Sequence, residues 1–272
     1  MTPLAAPNLT AVTSASSRTI IVRLLVVGLA FAIPMGFGVW DRLLSPASAA
    51  RPTPSTTSGE RLIVPNIRVP EDPSHAFTAM QPGSIEPVTF DPCRPIHYVV
   101  RSDGAPAESA ALLTEAIARI SGATGLQFID DGVTTEAPQQ ARLNFQPERY
   151  GDRWAPVLIA WSNPAEYPYL AGPVIGVASN APVDTDDGRL AFVSGQVVLD
   201  TDQISKLIAF SGGRSLTAAT LTHELAHLVG LAHVQDDRQL MYPSARPLVT
   251  NLAAGDLTGL AALGTGRCLP TL

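Results

Sequence analysis

The chain has 272 residues, of which 46% are hydrophobic and 15% charged, a composition typical of packed globular proteins. The formal charge of −6 argues against nucleic acid as a partner, because phosphate binding favours a basic surface. Aromatic residues make up only 6%, which also disfavours a stacking platform for bases or sugars. Nothing in the composition indicates an oligomer.

An apolar stretch lies near the N-terminus, at residues 24–40, and Arg18 and Arg23 precede it. Its length is at the short end of what spans a bilayer. The preceding arginines predict that residues 1–23 stay in the cytoplasm and that the rest of the chain is exported. Two interpretations remain open: an uncleaved membrane anchor, or a signal peptide cut near Ala47-Ser48-Ala49. Both predict an extracytoplasmic protein, and the first adds the membrane as a partner.

Residues 41–92 are rich in proline, serine and threonine, which predicts a linker or a short prosegment before a folded domain at 93–272. The chain has two cysteines, Cys93 and Cys268. In an exported protein two distant cysteines most simply form one disulfide, which here would join the two ends of the domain. Two unpaired buried thiols are the alternative.

The folded domain shows strand patterns first and helical patterns mostly later. The predicted strands are 96–100, 126–129, 157–161, 174–178 and 196–199, and the predicted helices are 107–120, 216–229 and 256–263. Gly122 is expected to follow the first helix, and Ser215 to cap the second. This order predicts an α+β domain.

The helix at 216–229 carries a metal-ligand pattern. His223 and His227 are four residues apart, so their side chains project from one face of the helix. Gly230 can adopt a positive φ and end the helix, which lets His233 approach the same ion. Three such ligands leave the fourth position of a zinc ion to water, and Glu224 lies next to that water as a catalytic base.

Simpler explanations of this pattern are weak. A lone histidine on an apolar helix is usually a packing residue, but three of the five histidines fall within eleven residues here. A purely structural zinc site would not need Glu224 and would usually recruit cysteines. The pattern therefore predicts one catalytic Zn²⁺.

The segment from His223 to His233 resembles the zinc-binding motif of the metzincin clan of zinc endopeptidases, and within that clan the matrixin-like group. Met241 lies eight residues after His233 and is similar in position to the methionine turn of that group. The resemblance implies a mixed, twisted sheet of about five strands, an active-site helix and a C-terminal helix near Asp256. It covers about two-thirds of the chain. Val234 departs from the serine usual in matrixins, and no matching prosegment cysteine is present.

The resemblance also implies where a substrate would bind. An extended peptide would add to the edge strand around Gly176, Val177 and Ala178. The wall of the S1′ pocket would include Pro243 and Ser244, and Ala219 would set its depth. Because Ala219 is small, we expect a roomy, apolar pocket.

Two acidic clusters offer oxygen ligands that could hold Ca²⁺: Asp184 with Asp186, and Asp200 with Asp202. The resemblance favours the second cluster, because it follows a strand where matrixins bind calcium. Solvated loop carboxylates are the alternative interpretation.

The sequence as a whole predicts a zinc-dependent metalloendopeptidase that acts on protein or peptide substrates outside the cytoplasm. The main rival is a catalytically silent metzincin-fold binding module of the cell envelope. A zinc hydrolase that acts on a non-peptide envelope polymer, and a structural protein stabilised by its metal, are further alternatives. Degenerate relatives usually lose the glutamate or a ligand, and this chain keeps all of them.

Overall fold

The computed structural model describes residues 50–55, 57, 59–63 and 71–272. The expected cytoplasmic region at 1–23, the expected anchor or signal segment at 24–40 and the candidate cleavage site at 47–49 all lie outside these residues. Within the described ranges, no helix has the length and apolar character needed to cross a membrane.

The described residues form strands and helices that alternate along much of the chain. In chain order they are β1 (Thr89–Phe90), β2 (Ile96–Arg101), α1 (Ser109–Thr124), β3 (Phe128–Val133), α2 (Pro147–Tyr150), β4 (Val157–Ser162), β5 (Gly176–Ser179), β6 (Pro182–Asp184), β7 (Leu190–Phe192), β8 (Gln196–Asp200), α3 (Thr201–Ile208), α4 (Gly213–Val229) and α5 (Ala254–Leu263).

The main sheet has five strands in the order β3-β2-β4-β8-β5. The first four are parallel, whereas β5 pairs antiparallel with β8 at the edge. Helix α1 provides the crossover that a parallel β2–β3 pair requires. The predicted mixed sheet of about five strands, with a metal-motif helix and a C-terminal helix, is therefore confirmed.

A second sheet of three short strands, in the order β1-β7-β6, was not predicted. Its strands have two or three residues, too few for an alternating pattern to be recognised in a sequence. Strand β1 and the fully buried Val88 belong to the segment that the sequence assigned to a linker or prosegment. The last part of that segment packs against the domain.

The helix boundaries differ from those predicted. Helix α1 runs to Thr124, and Gly125, with φ 74°, ends it, so Gly122 lies inside the helix. Helix α4 begins at Gly213 after Gly212, and Ser215 is not its N-cap. Helix α3 was missed because it is only eight residues long and begins directly after a strand, where Asp200 caps it.

The hydrophobic core lies between the sheet and the helices α1, α4 and α5. Leu112 and Ile120 of α1, Leu225 of α4 and Trp161 of β4 are members of one buried cluster. Strand β4 is buried along its whole length, which explains its continuous apolar sequence. This packing holds α4 rigidly against the sheet, next to β5.

A disulfide joins Cys93 and Cys268, as the sequence predicts. Their sequence separation is 175 residues, so the bond closes a loop that contains nearly the whole domain. In the chain-entropy model such a loop closure stabilises the fold by about 4–5 kcal/mol.

Candidate metal centre

Three histidine side chains converge at the C-terminal end of α4. The Nε2 atom of His233 lies 3.1 Å from Nε2 of His223 and 3.0 Å from Nε2 of His227. His223 and His227 are one helical turn apart on α4, and His233 reaches them after the chain has turned at Gly230. The predicted ligands therefore form one group that could hold a metal ion.

Backbone carbonyls fix the orientation of two of these rings. Nδ1 of His223 lies 2.8 Å from the Leu240 carbonyl, and Nδ1 of His227 lies 2.7 Å from the Leu231 carbonyl. A carbonyl oxygen only accepts, so each Nδ1 carries the proton and each Nε2 presents a lone pair. Lone pairs that point at a common centre repel one another unless a cation lies between them.

The spacing of the ring nitrogens fits zinc. A tetrahedral site with Zn–N bonds of ~2.0–2.1 Å separates its ligand nitrogens by about 3.3–3.4 Å, within a few tenths of an ångström of the separations here. Burial lowers the pKa of His223, lowers that of His227 well below its ordinary value and lowers that of His233 to about 4. The rings are therefore neutral near pH 7, as metal ligands must be.

Gly230 makes the turn between the second and third histidines, as predicted. Its φ of 120° is unfavourable for other residues, and an added Cβ would lie 3.0 Å from Leu263 and 3.3 Å from Phe192. The turn is held by an extended segment from residues 76–78. Thr78 N–H donates to the Gly230 carbonyl, and Ala232 N–H donates to the carbonyl of Ala76.

Sequence reasoning missed the role of this segment. Both contacts use backbone atoms, which leave no signal in residue type. They hold Gly230 and Ala232, the residues on either side of Leu231. The Leu231 carbonyl accepts from His227, and Ala232 directly precedes His233. The segment therefore supports two of the three candidate ligands, His227 and His233.

Met241 is buried after the third histidine, and its carbonyl accepts from Val234 N–H. The buried carboxylate of Asp256 holds this turn in place, because it accepts from the N–H groups of Leu240 and Met241 at 2.7 and 3.2 Å. The Leu240 carbonyl is in turn the acceptor for His223. Asp256, which the sequence marks only as the start of a helix, thus orients a ligand through one peptide unit.

Glu224 is the buried acid of the site, with only 7% of its surface exposed. Burial raises its pKa to about 8, although a hydrogen bond from Ala178 N–H acts in the opposite direction. The side chain lies directly against β5, since a Cβ on Gly176 would be 2.8 Å from Glu224 Cγ. A carboxyl with such a pKa can exchange protons near neutrality, and a nearby cation would favour its ionised form.

A cavity opens beside Glu224 and His223 and brings together most of the expected substrate-binding residues. Gly176, Ala219, Pro243 and Ser244 all line it. Val177 and Ala178 are not part of the lining but continue β5, which among the described strands pairs only with β8. No strand of the described part of the chain covers the other edge of β5, which could therefore accept an added strand.

The four aspartates considered for calcium do not come together. Among the described residues, no three acidic, histidine or cysteine ligand atoms that include one of them lie within 4.8 Å of one another. Asp200 is buried and accepts from Gln203 N–H at the start of α3, so it is a helix cap rather than a solvated loop carboxylate. The structure gives no support for Ca²⁺ at Asp184, Asp186, Asp200 or Asp202.

Comparisons with known proteins leave the family open. No family model matches the chain, and no curated protein matches it. The solved structure of archaemetzincin from Methanopyrus kandleri is similar, with 16% sequence identity and a TM-score of 0.39. The match covers 60% of this chain and 92% of that one. This likeness is too distant to assign an activity, so the site itself has to indicate the function.

Proposed function

We propose that this protein is a zinc-dependent metalloendopeptidase that hydrolyses peptide bonds in proteins outside the cytoplasm. One observation carries the proposal: three histidine nitrogens converge, and one of these histidines, His223, lines a cavity next to the edge strand β5 together with the buried Glu224. A carboxyl that can transfer protons, next to a metal held by three nitrogens, is the arrangement found in hydrolytic zinc centres. The finer assignment to a matrixin-like metzincin, with Met241 in its methionine turn, is part of the same proposal.

His223, His227 and His233 would hold a zinc ion, which would supply Lewis acidity for the activation of water and the polarisation of a carbonyl near neutral pH. Glu224 accepts the proton of the attacking water and later donates it to the leaving amine. The hydrogen bond from Ala178 N–H keeps the Glu224 carboxyl on the β5 side of the site. Burial raises the pKa of Glu224, and a cation at the three histidines would act in the opposite direction and favour the ionised carboxylate that accepts the first proton.

We infer that the substrate binds as an extended strand along the open edge of β5. The backbone groups of Gly176, Val177 and Ala178 that face away from β8, other than the Ala178 N–H that donates to Glu224, would hold the peptide in register. A side chain next to the scissile bond would then enter the cavity lined by Ala219, Pro243 and Ser244.

The location outside the cytoplasm is proposed from two features of the chain. Residues 24–40 form an apolar stretch with arginines before it, which favours export as an anchored or secreted protein. The disulfide between Cys93 and Cys268 is of the kind that persists in oxidising compartments.

The test compares two variants that differ in which part of the site they remove. Glu224→Ala is expected to retain one zinc per chain by elemental analysis and to lose at least about 1000-fold in casein hydrolysis. His227→Ala is expected to lose both zinc and hydrolysis, because two ligands cannot hold the ion tightly. A hydroxamate chelator is expected to inhibit the wild-type chain.

Undiminished hydrolysis by the Glu224→Ala variant would refute the assigned base. A zinc-loaded wild-type chain that binds peptides without cleaving them would indicate the silent binding module instead. Cleavage of an envelope polymer with no action on casein would indicate a non-peptide hydrolase.

A further inference from the structure

The cavity beside the metal centre has one cation in its wall. Among the described residues, and apart from His223 and Tyr242, its lining contains two ionisable side chains, Glu224 and Arg246. Glu224 is assigned to proton transfer, so the charge that a substrate side chain meets in this cavity is that of Arg246. The rest of the lining is largely apolar and includes Ile175, Leu216, Ala219 and Val249.

Arg246 is held in place but has few protein acceptors. Its guanidinium lies over the ring of Tyr242, with Cζ 4.7 Å from the ring centroid. Within the described residues it donates one side-chain hydrogen bond, from Nη2 to Asp237 at 3.2 Å. Nε is buried and has no acceptor among the residues that the structure describes, although a guanidinium carries five N–H donors.

The ion pair with Asp237 neutralises Arg246 only weakly. The Asp237 side chain is 61% exposed, and that of Arg246 is 41% exposed. Water screens an exposed pair strongly and competes for both partners. A carboxylate inside the cavity is better shielded from water and meets a planar fork of donors that matches its own geometry.

We propose that Arg246 makes this cavity select an acidic side chain, glutamate above all, at a position flanking the scissile bond. The methylene groups of glutamate contact the apolar walls, and its carboxylate accepts from the guanidinium. This replaces the apolar preference that the sequence predicts from the small Ala219. The inference rests on the proposed function, whose substrate class it names.

The test uses peptide pairs that differ only by glutamate or glutamine at each position flanking the cleaved bond. The two side chains have the same shape, so the ratio of their kcat/KM values reports charge recognition. We expect the wild-type chain to favour glutamate about tenfold at one position, the size of a charge-assisted hydrogen bond. Arg246→Gln is expected to bring the ratio close to one while the glutamine peptide is still cleaved.

Two matched variants distinguish recognition of the glutamate charge by Arg246 from a general disturbance of the loop that carries Arg246. Arg238→Gln changes a nearby arginine that is paired with Asp236 and does not line the cavity, so it is expected to leave the ratio unchanged. Asp237→Asn removes the competing carboxylate and is expected to increase the ratio. Equal cleavage of both peptides by the wild-type chain, or an equal loss for both in Arg246→Gln, would overturn the inference.

A binding measurement distinguishes this inference from the proposed function. Hydroxamates that carry a glutamate or a glutamine side chain are titrated calorimetrically into the zinc-loaded protein. Tighter binding of the glutamate compound, lost in Arg246→Gln, without any peptide cleavage would retain the inference and refute the peptidase. Peptide cleavage with no glutamate preference would support the peptidase and refute the inference. Equal or absent binding of both compounds would also overturn the inference.

Discussion

Helix α4 and the loop from residues 230 to 249 contribute to the same candidate metal site, but different interactions hold them in place. On α4, the positions of His223, Glu224 and His227 follow from helical spacing, and the core packs the helix against the sheet. The loop that carries His233 has no such repeat. It depends on hydrogen bonds that its N–H groups donate to distant residues, above all to the Asp256 carboxylate and the Ala76 carbonyl. The helical half is therefore locally encoded, whereas the loop half depends on the completed fold.

The largest effect is expected at the junction of the two halves, in Gly230→Ala. The new Cβ would be strained at φ 120° and would press on Leu263 and Phe192. We expect a loss of about 2–4 kcal/mol in unfolding free energy and a weaker zinc affinity, because His233 is displaced. Chemical denaturation and zinc titration measure the two effects.

Gly188→Ala is the matched control for this substitution. Gly188 also has a positive φ, 77°, but a Cβ there would meet nothing within 4 Å. The Gly188→Ala variant is expected to lose about 1 kcal/mol of unfolding free energy from backbone strain alone and to keep its zinc affinity. If the two variants lost the same unfolding free energy, the crowding of Gly230 by Leu263 and Phe192 would not contribute to the effect.

A smaller effect is expected from Asp256→Asn, which perturbs the loop half alone. The carboxylate accepts from Leu240, Met241 and Ala253, and an asparagine offers one oxygen and an amino group to the same donors. We expect a loss of about 1–3 kcal/mol in stability and about tenfold in zinc affinity, since the Leu240 carbonyl orients His223. Hydrogen exchange should report faster opening at residues 239–242 than in α4.

The exposed Asp103 provides the control, because Asp103→Asn is expected to change stability by less than about 0.5 kcal/mol. If Asp256→Asn retained full zinc affinity despite lower stability, the proposed link from Asp256 to His223 would be wrong.

The smallest change in stability, with a distinct effect on activity, is expected in Gly176→Ala. A Cβ there would lie 2.8 Å from Glu224 Cγ and would push the carboxyl away from its bond with Ala178. We expect zinc content to stay unchanged while kcat falls about 10- to 100-fold. Elemental analysis and steady-state kinetics together test this outcome.

Gly122→Ala is the control for a glycine without contacts. It lies inside α1 with open space around it, so an alanine is expected to stabilise the fold by about 0.5–1 kcal/mol and to leave activity unchanged. A Gly176→Ala variant with wild-type kcat would show that Glu224 tolerates displacement.

Long periodic elements were predictable, and short ones were not. The five strands of the main sheet and helices α1, α4 and α5 were recognised because they repeat a pattern over several residues. Strands β1, β6 and β7 and helix α2 have only two to four residues, too few to show a period. Helix α3 is amphipathic but was missed, because its eight residues follow directly after β8. Two predicted helix ends were wrong. Gly122, which was expected to follow α1, lies inside it, and α4 begins directly after Gly212 and not at Ser215.

From the sequence alone it was possible to predict the three histidines and Glu224 as candidate site residues, the turn at Gly230 and, as the simpler of two alternatives, the pairing of Cys93 with Cys268. These depend on spacing along one helix, on the conformational freedom of one residue and on the count of cysteines. The groups that support and surround these candidate ligands became visible only in the folded chain: the segment 76–78, Asp256, Gly176 and Arg246. Their contacts join residues far apart in the chain, often through backbone atoms, and no local pattern records such a contact.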